Sequence, residues 1–421
     1  MTVMYAKGLG SYNRNFWLGV YNGILVNGAE AFFHTSLVLA PFLAGLGAPA
    51  VVIGLIPTLR VGGWFLPQLF MASRLAHEPF KLSWYRRMSF VRVTAYSLMV
   101  LAIFVFHERP LLIVGVVLLM IAVVSVAGGM GGISFADVTA KVVPHYRLGT
   151  FWVLRNSIGG GLALVAGLLL RRFLQSDVPF PQNFGYLFLV GMVLAGVAYL
   201  SFSLVREPAG EVALKEPFGS MLRRIPELLK RDAGFRRYLR VRFLALLALL
   251  ADPFYAVYVL HELDAPVAAV GGFVILATSG SIVANLLFRR PADRGRNVDV
   301  LRISVGLLLM APLAALVVTD WRLFSVVFVL SAAGQAGMGI AAWNLLYTVS
   351  EGSERLLYVG TANSFLSLPS LAPVVAGVIV DLLGFQPTFG LAALLAVTAL
   401  GFTARFAGLR ELDRKALLSG S

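Results

Sequence analysis

The sequence contains no cysteine, and only 13% of its residues are charged. The absence of thiols excludes a disulfide framework and a thiolate metal site. A soluble domain is about half apolar and about 25% charged, whereas 58% of these residues are hydrophobic. The composition therefore does not fit a soluble globular domain.

The apolar residues are gathered in long uncharged runs. Four of these runs are residues 111–136, 265–288, 323–350 and 382–404. A helix needs about 20 apolar residues to span a bilayer. Only helices and closed barrels satisfy their backbone groups inside a bilayer, and continuous apolar runs favour helices over alternating barrel strands.

We predict an all-α integral membrane protein with twelve transmembrane helices, arranged as two pseudo-symmetric six-helix bundles. The bundles comprise residues 1–205 and 236–421, and a polar cytoplasmic linker, residues 206–235, separates them. Within this region, residues 218–229 form either a short amphipathic helix on the membrane surface or part of a plain connection. The predicted spans, numbered 1 to 12, are 15–44, 49–73, 88–106, 110–136, 150–171, 183–205, 236–261, 266–289, 300–318, 321–349, 357–382 and 386–406.

Basic residues dominate the formal charge of +14 at pH 7. With twelve spans, both termini lie on one side of the membrane, and 30 of the 35 Lys and Arg residues fall on that side. Lys and Arg collect in cytoplasmic loops. We therefore expect cytoplasmic termini and a location in the plasma membrane, which is the inner membrane of a bacterium. The same rule explains the charge without a nucleic-acid partner.

The two halves of the sequence repeat short words in the same order. Glu30-Ala-Phe-Phe matches Asp252-Pro-Phe-Tyr at an offset of 222 residues, and Gly129-Met-Gly matches Gly337-Met-Gly at an offset of 208. Many transporters are built from such repeats, with a substrate site near the bilayer midplane. The repeat indicates duplication of a six-helix unit.

The sequence PADRGR, residues 291–296, lies between spans 8 and 9. With the six-plus-six spans and the basic linker, it resembles the major facilitator superfamily, whose loop motif matches at Asp293, Arg294, Gly295 and Arg296. The resemblance implies that family's fold, transport by alternating access, and a cytoplasmic gate with a tight glycine turn and an Asp–Arg pair. The corresponding first-half stretch, residues 72–87, lacks the Asp-Arg-x-Gly core.

Four charged residues lie together at the predicted cytoplasmic edge of spans 4 and 5, namely Asp137, Lys141, Arg147 and Arg155. They either contribute to the cytoplasmic gate, for which Asp137, Arg147 and Arg155 are the candidates, or belong to a solvated loop face. The sequence does not decide between these interpretations.

Span 1 carries a polar stripe within its apolar sequence. Gly23, Asn27, Glu30 and His34 are spaced by four, three and four residues, which places them on one helix face. Glu30 lies near mid-depth, where an ionisable group indicates function. It either carries a coupling proton and contacts the solute, or it is neutralised by a structural hydrogen bond.

Asp252 occupies the matching position in span 7. Pro253 follows it and breaks the helix there. Tyr255 and Tyr258 lie one and two turns further on, with hydroxyls suited to a polar solute. Burial favours the neutral form of a carboxyl group in general, so Asp252 is a second candidate for proton coupling. The alternative is that it only caps the helix break.

Arg60 lies deep in span 2 and requires an anion, because arginine does not deprotonate. Its partner is either Glu30 or an anionic group of the solute, and a static structural pair is the remaining alternative. In span 10, Trp343 and Asn344 are candidates for the cavity wall. The predicted substrate-binding residues are Asn27, Glu30, His34, Arg60, Asp252, Tyr255, Tyr258, Trp343 and Asn344.

These features favour a proton-coupled secondary transporter of a small organic solute, with export as the expected direction because the deep polar groups are few. The alternative within the same fold is an uncoupled facilitator or a flippase for lipids or lysolipids. An enzyme is disfavoured, since the sequence has neither HExxH nor GxSxG. We expect no cofactor and no metal, a proton gradient as driving force, and a monomer in the bilayer.

Overall fold

The computed structural model describes residues 2–75, 77–210, 218–350 and 355–404. Every regular element among these residues is a helix. Twelve helical segments within them are long and apolar enough to cross a membrane, which confirms the predicted fold class. The twelve segments are Asn13–Gly45, Ala50–Leu75, Leu82–Val105, Pro110–Val142, Leu148–Phe173, Gln182–Ser203, Ala233–His261, Ala269–Asp293, Asn297–Val317, Ser325–Val349, Leu357–Leu383 and Phe385–Thr403.

The predicted bounds agree with these spans to within four residues at all but two ends. Span 3 begins six residues earlier than predicted, at Leu82, and span 4 ends six residues later, at Val142. Both differences lengthen helices on the predicted cytoplasmic side. They draw charged residues that had been assigned to loops into the spans.

Three spans are interrupted by tighter or wider helical turns. Span 1 contains a π-helix, Thr35–Leu39, and span 7 contains a 3₁₀ turn, Ala248–Ala251. Span 11 contains a second 3₁₀ turn, Leu368–Leu371. The turn in span 7 lies just before Pro253, and the turn in span 11 contains Pro369. Proline supplies no backbone N–H to the helical ladder, which accounts for an interruption at each place.

By contacts between residues, the chain divides into two compact units. The first unit comprises Met1–His34 and Leu59–Phe218, and the second comprises Thr35–Thr58 and Gly219–Ser421. Residues 35–58 therefore group with the later spans, whereas the sequence placed all of residues 1–205 in one bundle. The division passes through spans 1 and 2 and does not follow the linker alone.

The first unit is built on span 1, which packs on spans 5 and 6, while span 3 packs on span 4. Its buried cluster is rich in rings, including Phe16, Tyr85, Phe151 and Phe202. Edge-to-face and tilted contacts join these rings, such as Tyr85 with Phe202 at 4.9 Å between centroids. This packing fixes the register of span 1, on which Glu30 lies.

The second unit is built on span 10, which packs on spans 8 and 9, while span 12 packs on span 9. Phe235, Leu301 and Tyr358 belong to its buried cluster. A helix runs Phe218–Arg231 in the region where the sequence allowed an amphipathic helix. Its Leu228 is buried in this cluster, so the helix is attached to the second unit.

The start of span 2 is held tightly within the second unit. A Cβ atom on Gly54 would lie 2.2 Å from the Pro373 carbonyl oxygen, and one on Gly377 would lie 2.4 Å from the Ala50 carbonyl oxygen. Only glycine permits this close approach of the two helices. Asp381 accepts hydrogen bonds from the N–H groups of Ala50 and Val51 at 2.7 and 2.9 Å, which caps the helix.

Candidate functional site

The first cluster of deep polar groups lies in the first unit. Arg60 donates to the Glu30 carboxylate and to the carbonyl oxygen of Phe33, which directly follows the first helical segment of span 1. The Glu30 and Arg60 side chains are 38% and 23% exposed, so the pair borders open space. The structure thus shows the Glu30–Arg60 pair, one of the two alternatives left by the sequence.

Arg92 lies beside this pair, although the sequence interpretation counted it among the 30 basic residues of the predicted cytoplasmic side. Because span 3 begins at Leu82, Arg92 lies about 15 Å along the helix at 1.5 Å per residue. Its guanidinium carbon lies 4.3 Å from the centroid of the Tyr199 ring. Arg92 and Tyr96 both interact electrostatically with Glu30. Arg92 is therefore a residue of span 3 that lies well inside the helix.

The other residues of the polar stripe have separate partners. Asn27 donates to the backbone carbonyl of Arg155 at 3.1 Å, which joins spans 1 and 5. His34 lies between the first helix and the π-helix, and it interacts electrostatically with Glu30. Asn27 thus contributes to helix packing in this structure, and its role in solute binding stays a prediction.

The second cluster lies in the second unit and surrounds Asp252. Its carboxylate accepts hydrogen bonds from the Ser36 and Ser331 hydroxyls, both at 2.5 Å, and from the Gln335 amide at 3.0 Å. Ser36 stands on the π-helix of span 1, which the contacts group with this unit. Among the ion pairs of the described residues, none involves Asp252. The hydrogen-bond donors that the described residues supply to this mid-span carboxylate are therefore all neutral.

Tyr255 and Tyr258 are buried in an aromatic cluster of the same unit. Their rings lie 5.3 and 5.2 Å from the Phe389 ring, and both also contact Phe324. Packing against these rings explains why Tyr255 and Tyr258 are buried here, with no need for a bound solute. Their predicted role in binding is untested.

Trp343 and Asn344 lie near the end of span 10, and Asn344 contacts Asn297, the first residue of span 9. Trp343 is exposed and stacks on Tyr347 with 6.1 Å between centroids. Asn344 donates to the side chain of Asn297 at 2.9 Å, which ties span 10 to the first residue of span 9. Asn344 thus has a structural partner, whereas the Trp343 side chain is about half exposed.

Arg155 does not lie with Asp137 and Arg147, contrary to one interpretation of the sequence. It is 7% exposed and donates to the Gly19 carbonyl and, at 3.2 Å, to Asn22. Three aromatic rings surround its guanidinium group at 4.9–5.3 Å. Because span 5 begins at Leu148, Arg155 is two turns inside the helix and belongs to the core of the first unit.

Residues 241–419 match the family model described as Major Facilitator Superfamily. The nucleoside transporter NupG superimposes with a TM-score of 0.72 and 13% identity, covering 93% of this chain and 100% of that chain. A D-xylose-proton symporter superimposes with a TM-score of 0.69 and 12% identity, covering 96% and 99%. This chain has the major facilitator superfamily fold. The predicted resemblance is confirmed, and the chain is a multi-pass membrane protein.

A peptide transporter of the POT family also has this fold, with a TM-score of 0.69 and 13% identity over 94% of this chain and 96% of that chain. No curated protein matches the sequence at a significant level. At such low identities the solved structures establish the fold alone, so the substrate must be argued from the residues of this chain.

The superfamily loop motif forms the expected glycine turn between spans 8 and 9. Gly295 has a φ of 63°, and Arg296 N–H bonds back to the Pro291 carbonyl at 3.0 Å. Asp293, however, lies 3.7 Å from Arg289 on its own helix, and both side chains are largely exposed. Arg296 pairs with Asp299. Within the described residues, the ion pairs of Asp293 and Arg296 thus stay within the two helices that the turn joins.

The first half of this superfamily fold has a different charge network at the corresponding place. Asp137 pairs with Lys81 and Lys141, both at 2.6 Å, and Lys141 also reaches Glu207 at 2.8 Å. Glu207 accepts from the N–H groups of Lys81 and Leu82 and so caps span 3. This network joins spans 3 and 4 to the end of span 6 without an Asp-Arg-x-Gly core.

Arg147 occupies the edge of the same region with other partners. It donates to the Asn13 side chain at 2.8 Å, and its guanidinium carbon lies 4.0 Å from the Phe16 ring centroid. Asp137 and Arg147 therefore contact separate groups. Their predicted role in a gate stays a prediction.

Four residues of the two clusters were missed in the sequence, namely Arg92, Ser36, Ser331 and Gln335. Ser331 and Gln335 are four residues apart in span 10, a spacing that places them on one helix face. Arg92 fell inside the predicted span 88–106 and could have been recognised by its depth. Nothing in the sequence marked Ser36 as a site residue, because a single serine within a transmembrane span is common.

Metal ligands are not gathered in either cluster. Among the described residues, there is no group of three or more His, Cys, Asp or Glu side chains that could hold a metal ion.

Proposed function

We propose that this protein is a secondary active transporter that moves a small organic solute across the membrane by alternating access and is coupled to protons through Asp252. The superfamily fold and the two deep polar clusters support this proposal. The fold and the family match favour a transporter over an enzyme, in agreement with the lack of protease and hydrolase motifs. The bacterial inner membrane and cytoplasmic termini remain part of the proposal.

The environment of Asp252 is the observation that carries proton coupling. Ser36, Ser331 and Gln335 all bond the carboxylate, and no ion pair among the described residues involves it. Hydroxyl groups rotate and can either donate to a carboxylate or accept from a carboxylic acid. The cluster can therefore accommodate both protonation states without rearranging its helices. A carboxylate that is bonded to a cation cannot take up a proton in this way without losing its ion pair.

Glu30 has a different role in the proposal. Arg60 compensates its charge, so it stays ionised as long as the pair persists. A solute group that competes for Arg60 would release Glu30 and loosen the contact between spans 1 and 2. The pair thus connects solute binding to the arrangement of these helices.

Export is the proposed direction, because each half presents few deep polar groups among apolar and aromatic side chains. The alternative is an uncoupled facilitator or a lipid or lysolipid flippase. That function would require no titrating group, and the proposal is distinguished from it by its response to a pH gradient.

The test uses the full chain reconstituted in liposomes. A thermal-shift screen of solutes on the purified protein, with Glu30→Gln and Arg60→Gln variants as controls, first selects a ligand. Accumulation of that ligand is then measured with and without an imposed pH gradient of either sign. We expect the ligand to accumulate against its own concentration gradient only when the pH gradient is imposed. Equal rates with and without it would contradict proton coupling and favour the uncoupled facilitator.

A further inference from the structure

The cluster around Glu30 contains one more positive charge than negative charge. Among the described residues, Arg60 and Arg92 both interact electrostatically with Glu30, which is the carboxylate that the two arginines share. The neighbouring Tyr96 and Tyr199 add polar hydroxyls and no compensating charge at neutral pH. An uncompensated charge at this depth is costly unless an anion neutralises it.

Arg92 also has donor capacity that the described residues do not use. Its Nε atom is buried and has no hydrogen-bond partner among them. Nearly all buried polar groups in folded proteins have a partner. Arg155, another deep arginine of the first unit, differs because it donates to the Gly19 carbonyl and to Asn22. The unused donor and the excess charge therefore coincide at Arg92.

Open space lies beside the same cluster. The Glu30 side chain is 38% exposed and that of Arg60 is 23% exposed. Charged side chains at bilayer depth face the interior of a bundle or an aqueous cavity and avoid lipid. The exposed part of the Arg60 side chain is therefore accessible to an anion.

We propose that Arg60 and Arg92 bind the anionic group of the transported solute, and that this solute is a small organic anion with a single negative charge. Guanidinium groups pair with carboxylate, sulfonate and phosphate oxygens through parallel N–H donors. One monoanion brings the cluster of Glu30, Arg60 and Arg92 to neutrality. The inference rests on the proposed transport function, because it assigns the substrate class of that same site.

The test compares anionic probes with an uncharged probe of the same shape. Apparent Tm of the purified full chain is measured against benzoate, benzenesulfonate and phenyl phosphate, with benzamide as the uncharged probe. We expect saturable stabilisation by at least one anion and none by benzamide. A response to benzamide as strong as that to the anions, or no response to any anion, would overturn the proposal.

Variants locate the effect at Arg92. Removing a charged hydrogen-bond partner weakens binding by about 10- to 100-fold, so Arg92→Gln should raise the apparent Kd of the active anion by that factor. Arg92→Lys should retain part of the affinity, because it keeps the positive charge but loses the paired N–H donors of the guanidinium group. Arg242→Gln is the matched control, since Arg242 is a deep arginine of the second unit whose Nε is also buried without a partner. Wild-type affinity in Arg92→Gln, or an equal loss in Arg242→Gln, would overturn the assignment.

One further measurement identifies the source of the bound anion, and another distinguishes a failure of the anion site from a failure of the transport function. Nanodiscs with phosphatidylglycerol in place of phosphatidylcholine should weaken probe binding only if a lipid headgroup supplies the anion.

Binding that depends on Arg92 without counterflow of the bound anion in liposomes would contradict the transport function and leave the site intact. Counterflow of a solute that Arg92→Gln leaves unchanged would contradict the anion site and leave the transport function intact.

Discussion

Glu30 and Asp252 stand at repeat-equivalent positions, yet their surroundings differ in charge. Glu30 is held by the guanidinium group of Arg60, with Arg92 nearby. Asp252 is held by two hydroxyls and an amide. A carboxylate bonded to arginine keeps its charge, whereas one among neutral donors can lose it at a smaller cost. The comparison supports the proposal that the solute binds at the cluster of Glu30, Arg60 and Arg92, and that the coupling proton binds at Asp252.

The largest effect is expected when Asp252 is given the cation that Glu30 already has. Gln335→Arg places a guanidinium group in the position of the Gln335 amide, 3.0 Å from the Asp252 carboxylate in the wild type. The pair should hold Asp252 ionised, and pH-driven accumulation should fall by about 100-fold, the effect of about 2.7 kcal/mol of added stabilisation. Uptake in liposomes measures this loss, and Gln335→Met, which adds no charge, is the control. Coupling as strong as that of the wild type in Gln335→Arg would contradict the role of Asp252.

A smaller effect is expected when the Glu30 pair is broken. Glu30→Gln leaves Arg60 and Arg92 without their carboxylate, and we expect a loss of about 2 kcal/mol of stability, because breaking a buried pair costs several kcal/mol and partial exposure reduces this. The loss is measured as a decrease in apparent Tm. The isosteric Asp252→Asn variant should lose less, since its amide still bonds the neutral partners.

The double variant Glu30→Gln/Arg60→Gln serves as the control for this prediction. It should recover much of the lost stability, because it removes one of the unpaired charges. A Tm decrease in Asp252→Asn equal to that in Glu30→Gln would remove the difference between the two carboxylates.

The smallest effect is expected at the hydroxyl partners of Asp252. Ser331→Ala removes one hydrogen bond to a charged group, which contributes about 1.5–3 kcal/mol when buried and less where two other donors remain. We expect a few-fold slower pH-driven uptake with unchanged counterflow. Thr398→Ala is a matched control, because the Thr398 hydroxyl bonds only the carbonyl one turn back in its own helix. A slower counterflow in Ser331→Ala would indicate a structural role instead.

The sequence predicted the twelve spans well because uncharged runs of bilayer length have few alternatives. It failed where a helix extends beyond its apolar run. Span 3 begins with residues 82–87, which include Arg86 and Arg87, and hydropathy alone assigns such a segment to a loop. Arg92 and Arg155 lay inside the predicted spans 88–106 and 150–171, but each was grouped with the cations of the adjoining loop because it stands near the end of its span.

The candidate site was predictable only in part. Spacing within span 1 placed Glu30 on a polar face, and depth made Arg60 its possible partner, which the structure shows. The partners of Asp252 come from spans 1 and 10, at separations of 216 and 79 residues. One sequence does not specify how such distant helices align, and a serine or glutamine within a span is compatible with many roles. The ion pairs of Asp293 and Arg296 could not be predicted either, because each residue had several oppositely charged neighbours.

The central claim is that Asp252 carries the proton while Glu30 remains paired. Its most direct test compares Asp252→Asn with Glu30→Gln in the same liposomes, measuring pH-driven accumulation and solute counterflow for each. We predict that Asp252→Asn retains counterflow and loses accumulation, whereas Glu30→Gln retains pH-driven accumulation despite its lower stability. Accumulation that persists in Asp252→Asn, or that is lost in Glu30→Gln while counterflow continues, would contradict the claim.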